Sequence, residues 1–318
     1  MGNPAHREVE HQIRIDAPGV EIYRLLENVD EWPGLFSPTI HVEQLERTAA
    51  AERIRIWATA NETVKTWVSR RMLDPDGLRI DFRQEVSSPP VAAMGGSWLI
   101  EPISQLESRV RLRHDYRAVD DEPRSLAWID EAVDRNSRAE LSALKANVEQ
   151  VSGDGEELVF SFEDEIVING AATDVYDFLN EAHQWQARLP HVARVVLTEE
   201  SPGLQVLEMD TRTADGATHT TRSVRVCFPH HKIVYKQIGL PALLTLHTGR
   251  WQVTESAADT GDLAVTSQHT VAINKANIGR VLGADAGAAD ARSFIRDALG
   301  RNSLATLHHA KDYAERHR

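Results

Sequence analysis

One cysteine, Cys227, stands in 318 residues. No intramolecular disulfide framework can staple this chain, and a reducing compartment, the cytoplasm, is the expected setting. Long apolar runs are missing too. Nothing approaches the ~20 residues needed to span a bilayer, and Met1 to His6 has no apolar core of the signal-peptide kind. Positive charge is in deficit: 35 Lys and Arg against 48 Asp and Glu give a net charge of −13. That balance argues against nucleic acid and against anionic lipid as partners, and its plainest consequence is solubility. Phosphate-cradling GxGxxG and Walker loops are absent, as is a GxSxG nucleophile elbow. His230-His231 and His308-His309 are adjacent pairs whose side chains point apart, and no Cys/His cluster has ligand spacing. Neither a metal nor any other cofactor is therefore expected. Any chemistry must come from neutral hydroxyls, an arginine and shape.

What is present is said nearly twice. Ile13, Ile15, Tyr23 and Trp32 return as Ile166, Ile168, Tyr176 and Trp185, each shifted by 153 positions. Ser69-x-Arg71 returns as Ser223-x-Arg225, Gly96-x-Trp98 as Gly249-x-Trp251, and Arg135-Asn136-Ser137 as Arg301-Asn302-Ser303. Landmarks in one order over so long a period indicate a duplicated domain rather than a short-repeat solenoid. The expected organisation is a first domain over 1–150, a polar, glycine-bearing linker over 151–157, and a second domain over 158–318. With 42% apolar and 26% charged residues, each half can bury a core of its own.

Each half reads as strand, helix, several strands and a long helix. In the first, His11 to Ile15 alternates as a strand. Asp16 is a candidate cap for a helix carrying Val20, Tyr23, Leu25 and Leu26 on one face, which breaks near Trp32. Strands follow over Arg53–Ala58, Thr66–Leu73, Leu78–Val86, Ser97–Glu101 and Ser108–Val119. The last helix starts near Pro123, with Leu126, Ile129, Val133, Ser137, Leu141, Leu144 and Val148 as a buried stripe. In the second half the stripe is Ile295, Leu299, Ser303, Leu307, Ala310 and Ala314, after a looser stretch from Asn277 to Ala288. An antiparallel sheet with a long helix across it is an α+β layer arrangement that encloses space for a pocket.

Alternation places Trp67, Ser69, Arg71 and Leu73 on one strand face. That face either lines a polar-edged cavity or looks outward, with Val68 and Met72 buried. On Ser108–Val119 the odd positions from Arg109 to Arg117 are charged, so Val110, Leu112, His114, Tyr116 and Ala118 form the buried face. His269 holds the matching place in the second half. Polar groups interrupt both helix stripes at Ser137 and Ser303, with Asn136 and Asn302 beside them; such residues bond the backbone or face a wet cavity.

Trp32 to Phe36, Trp67-x-Ser69-x-Arg71 and the helix run Asn136-Ser137-x-x-Glu140-Leu141 resemble the aromatase/cyclases of bacterial type II (aromatic) polyketide synthases, and the tandem layout resembles their di-domain subclass. The resemblance implies two helix-grip domains of the START/Bet v 1-like kind, each a curved antiparallel sheet around a long C-terminal helix with an internal pocket. It implies first-ring aldol cyclisation and dehydration of a ketoreduced poly-β-keto chain carried on an acyl carrier protein, with the other synthase components as partners. Trp67, Ser69 and Arg71 match the family's pocket triplet and Trp32 a wall tryptophan. In that setting Arg71 would stabilise enolate oxygens and Ser69 relay a proton. Trp32, Trp67 and Trp98 would wall the nascent ring, and Gln84, His114, Tyr116 and Asn136 would bond the substrate. Single-domain relatives carry a tyrosine shortly after the Trp-Pro segment where Thr39 or a neighbour stands here, so no phenolic acid is carried over. The second copy keeps Ser223, Arg225, His269 and Asn302 as candidates, but Thr221 replaces the tryptophan. The first domain is therefore expected to hold the principal pocket. Arg109, Arg111 and Arg113 form either a patch for the carrier protein or a solvated strand face. The alternative function is a START-type module that binds a lipid or polyketide without changing it; a further one is a structural partner that organises the synthase through its surface.

Overall fold

The computed structural model describes residues 6–150, 158–212, 218–256 and 261–317. The expected linker over 151–157 lies outside the described residues. Two compact units divide the chain, Met1–Gly155 and Glu156–Arg318.

The first unit runs β1 (Arg7–Ile15), α1 (Gly19–Glu27), α2 (Trp32–Leu35), β2 (Thr39–Arg47), β3 (Ala51–Ala60), β4 (Thr63–Asp74), β5 (Arg79–Val86), β6 (Val91–Pro102), β7 (Ser108–Ala118) and α3 (Pro123–Gln150). Its antiparallel sheet has the order β1-β7-β6-β5-β4-β3-β2. Consecutive strands pair except β1 and β2, which occupy opposite edges. The chain joining those edges is folded into α1 and α2, while α3 lies along β1 and β7. Helix α3 lays Leu126, Ile129 and Val133 on Tyr116 and Ala118, and sends Leu141, Leu144 and Val148 into the main core with Ile15, Ile22, Leu26 and Val110. Each such side chain contributes about 1.5–3 kcal/mol when fully buried. Between these two groups of contacts the helix stands off the sheet, and the gap is the cavity described below.

The second unit repeats the plan with β8 (Val159–Ile168), α4 (Ala172–Asn180), α5 (Trp185–Arg188), β9 (Val192–Ser201), β10 (Leu204–Arg212), β11 (Thr218–Phe228), β12 (Lys232–Gly239), β13 (Leu244–Glu255), β14 (Leu263–Ile273), α6 (Ile278–Leu282) and α7 (Ala288–Arg316). Its sheet order, β8-β14-β13-β12-β11-β10-β9, is the same. Both units have the helix-grip fold. Among the described residues no helix is long and apolar enough to cross a membrane.

Five local expectations are corrected. Asp16 does not cap α1: the Pro18 carbonyl accepts from the amides of Glu21 and Ile22, and the Asp16 amide donates to Glu149. Val20 is 47% exposed, so the buried face of α1 is Ile22, Tyr23 and Leu26. Strand β2 was not expected, because on this edge strand only the first four residues are mostly buried and the rest, apart from Leu45, are polar on both faces. The stretch from Asn277 is not loose throughout: it winds into α6, where Ile278 is buried against Ala291 and Ile295. The basic residues of β7 are also not an open patch. Arg111 and Arg113 both pair with Glu10, and Arg109 and Arg111 with Glu101.

Candidate functional site

Strand register builds the site. In the first unit Glu52 faces Arg71, Arg71 faces Phe82, Phe82 faces Gly96 and Gly96 faces His114, one transverse row over five strands. The second unit has Gln205, Arg225, Tyr235, Gly249 and His269 in the same row. A glycine in the row leaves room for the aromatic beside it. A Cβ on Gly96 would lie 2.7 Å from the Phe82 ring and 1.9 Å from the Arg113 carbonyl; one on Gly249 would lie 2.4 Å from the Tyr235 hydroxyl. Phe82 thereby meets His114 edge to face at 5.4 Å, and Tyr235 reaches His269 with a 3.0 Å hydrogen bond.

The strand face that alternation left open in direction looks inward. Ser69, Arg71 and Leu73 are buried and Trp67 half-buried, whereas Met72 is 48% exposed; Val68 is buried as well. The first unit's cavity has two adjoining lobes that share Trp32, Ile56, Trp67, Gln84, Met94, His114 and Glu140. Thr39, Asn136 and Ser137 line one lobe; Ser69, Arg71 and Trp98 line the other.

Arg71 reaches this cavity already engaged. Its Nη1 donates to Glu52 Oε1 at 2.5 Å, its Nη2 to the Leu26 carbonyl at 2.5 Å, and its guanidinium stands 4.8 Å from the Trp32 ring centroid. Burial pulls its pKa down to about 10 against the opposing pull of Glu52, so it stays cationic. The expected free fork for an enolate is not what the geometry provides: the cation holds the end of α1 and the Trp32 wall to the sheet. Asn136 is likewise committed, donating to the Thr59 carbonyl at 3.0 Å. Tyr116 stays outside the cavity, because its hydroxyl donates to Asp130 at 2.6 Å and its ring packs with Leu126, Ile129 and Val133.

The uncommitted polar atoms lie elsewhere. Trp32 Nε1, Gln84 Oε1, His114 Nδ1 and Ser137 Oγ are buried with no hydrogen-bond partner among the described residues. Buried polar groups are nearly always bonded, so four orphans around one hollow describe the outline of a ligand bearing both donors and acceptors. Glu140 on α3 shares both lobes. Burial alone pushes its carboxyl up to about 8, and burial pulls His114 down to about 4. Near neutrality one cavity thus holds a protonated acid and an unprotonated base.

The second unit's cavity is lined by Ser223, Arg225, His269 and Asn302, and also by Tyr235, His247, Trp185 and Ser303. Gln205 replaces Glu52, and among the described residues no carboxylate bonds Arg225. Its Nη2 donates to the Leu179 carbonyl at 2.6 Å, and its Nη1 has no partner among the described residues. Among the described residues no group of three or more His, Cys, Asp or Glu side chains is placed to hold a metal ion.

Sequence reasoning quoted Glu140 in the helix run but gave it no role, and it passed over Glu52, Tyr235 and His247. Glu140 carried a readable signal: three residues after Ser137 and one before Leu141, it is a carboxylate on the buried stripe. The others become visible only when strand register is known.

Comparison with known proteins follows the same plan. A family described as polyketide cyclase/dehydrase and lipid transport matches residues 6–149 and again 159–313. Over 94% of its length the chain is 49% identical to the granaticin polyketide synthase bifunctional cyclase/dehydratase of Streptomyces virginiae, covering 97% of that protein. It is 46% identical to the actinorhodin polyketide synthase bifunctional cyclase/dehydratase of Streptomyces coelicolor, with 98% of each chain covered. Among solved structures, the di-domain ARO/CYC BexL from the BE-7585A biosynthetic pathway superposes with a TM-score of 0.86 at 59% identity, covering 97% of this chain and 99% of that one.

Proposed function

The chain belongs to the polyketide cyclase/dehydrase and lipid transport family, and from that premise we propose that it closes and dehydrates the first ring of a ketoreduced poly-β-keto chain delivered by an acyl carrier protein. The observation that carries this reading is the first cavity: four orphaned polar atoms and an oppositely tuned acid–base pair between tryptophan walls. A lipid tail offers such atoms nothing to bond, whereas a poly-β-ketone presents a carbonyl or enol at every second carbon.

Confinement does part of the work. A flexible polyketone has many wrong closures, and a fitted hollow converts random encounters into one near-attack geometry. Trp32, Trp67 and Trp98 give flat apolar surfaces for the forming ring. His114 takes a proton from a methylene between two carbonyls, and the resulting enolate carbon attacks a carbonyl farther along the chain. Glu140 gives its proton to the oxygen that becomes a hydroxyl. The proton on His114 then returns to the Glu140 carboxylate, so both groups end as they began. Arg71 is a positioning residue in this scheme, with its charge held beneath Trp32 by Glu52. Ser69 shares its lobe and stands beside Gln84 in the register, where it orients the substrate.

Incubation of the purified protein with a minimal type II synthase, its carrier protein and a ketoreductase tests the proposal. Shunt products should give way to products with an aromatised first ring. A shunt mixture that stays unchanged while the protein retains bound polyketide would make it a carrier instead.

A further inference from the structure

We propose that the second unit is a separate reaction site, a dehydration pocket in which Arg225 and Tyr235 receive the oxygens of a cyclised β-hydroxy ketone while His247 and His269 move its protons. The proposal rests on the polyketide reading above and extends it to a cavity whose chemistry differs from the first. The row comparison makes the difference concrete. Where the first unit has Glu52, Phe82 and Met94, the second has Gln205, Tyr235 and His247, and opposite Glu140 on the long helix stands Thr306. A carboxylate has been removed beside the arginine, and a phenol and a second imidazole have been added to the wall.

The hydrogen bonds have a direction. Ser303 Oγ donates its one proton to the Leu299 carbonyl at 2.9 Å, so at 2.6 Å it accepts from His269 Nε2. His269 Nδ1 is then a bare acceptor, and two donors compete for it: His247 Nε2 at 2.9 Å and the Tyr235 hydroxyl at 3.0 Å. One lone pair cannot hold both. When His247 donates, the Tyr235 proton is released toward the cavity, and His247 Nδ1, which has no partner among the described residues, presents a lone pair. Burial keeps both imidazoles unprotonated, His269 falling to about 4, and keeps the Tyr235 phenol protonated.

Arg225 completes the set. It is 2% exposed, faces Tyr235 directly across the strand pair, and leaves Nη1 without a partner among the described residues. Its guanidinium stands 5.2 Å from the Trp185 ring centroid, and Glu199, an exposed carboxylate that accepts from the Gln205 amide at 2.9 Å, acts on it from a distance. A buried, uncompensated guanidinium beside a donor hydroxyl suits an oxygen that gains negative charge. In the step, His247 Nδ1 takes the hydrogen on the carbon next to the ketone and Arg225 holds the enolate oxygen. The enolate then collapses to a carbon–carbon double bond, expelling the neighbouring hydroxyl, which leaves as water with the proton of Tyr235. The proton gained by His247 passes through His269 to the tyrosinate, so one water is lost and the network keeps its proton count.

Two variants test this in the synthase, carrier protein and ketoreductase mixture. Tyr235→Phe removes one hydroxyl and installs the residue with which the first unit already folds. The double variant Gln205→Glu with Glu199→Gln transposes an amide and a carboxylate, giving Arg225 the neutralising partner that Arg71 has. Each should leave far-UV circular dichroism unchanged, slow dehydration at least tenfold, and accumulate a closed-ring product heavier than the wild-type product by one water. Wild-type product profiles from both folded variants would overturn the second site and leave the cyclase reading standing. Uncyclised shunt products alone would also overturn it, by placing ring closure in this pocket. A wild-type protein that leaves the shunt mixture unchanged would instead remove the polyketide reading on which the proposal rests.

Discussion

Glu140→Gln should lower kcat/KM for ring closure by about 10²–10⁴, the range general acid catalysis supplies, with KM changed far less than kcat. Glutamine keeps the size and hydrogen-bonding capacity of the side chain but cannot give up a proton. The wild-type profile should be bell-shaped, its acidic limb near 4 from His114 and its alkaline limb near 8 from Glu140, and the variant should lose the alkaline limb. Stability carries the same signature. A carboxyl whose folded pKa lies near 8, above its ordinary 4.5, stabilises the fold fully below about 4.5, and that contribution is lost as pH rises through 8. Thermal unfolding of the wild type should therefore weaken between those values more than that of Glu140→Gln. Parallel curves, with an unshifted alkaline limb in the variant, would remove Glu140 from the chemistry.

Arg71→Ala should cost about 3–5 kcal/mol, the usual loss when one partner of a buried ion pair is deleted. Glu52, 2% exposed, would keep only the bonds from Gln44 and from the more exposed Arg47, and the Leu26 carbonyl would lose its donor. Arg225→Ala should cost clearly less, since it strands no carboxylate and removes a charge that burial already disfavours. Guanidinium unfolding followed separately for the two units by local fluorescence probes would show the contrast. Equal losses at the two arginines would mean that Glu52 does not set the stability of the first pocket. Because the Arg71 variant is expected to be structurally weakened, its lost activity is not by itself a measure of catalysis.

Much of the fold could be read from the chain because duplication doubled every signal. The alternation of β7 and the long stripes of α3 and α7 are periodic over many residues, and their inward faces are those expected. Strand β2 escaped because an edge strand with one wet end loses its period. The site was only half readable for a different reason. Alternation put Arg71 on one face with Trp67 and Ser69 but left open whether that face looked inward, and a side chain's role depends further on what stands across the strand. Glu52 lies nineteen positions away in sequence and directly opposite in register. The same register turns Gln205, unremarkable in the sequence, into the residue that distinguishes Arg225 from Arg71. Tyr116 shows the converse, since its place on the buried face was right and its partner, Asp130 on α3, kept it from the cavity.

The protonation state of Glu140 is the point on which ring closure in the first cavity turns. Carbon-13 NMR of protein labelled at its glutamate side-chain carboxyls, with the resonance assigned by its disappearance in Glu140→Gln, reads that state directly. A titration midpoint near 8 is expected; a midpoint near the ordinary 4.5 would mean that the cavity holds a carboxylate at neutral pH and has no acid to give.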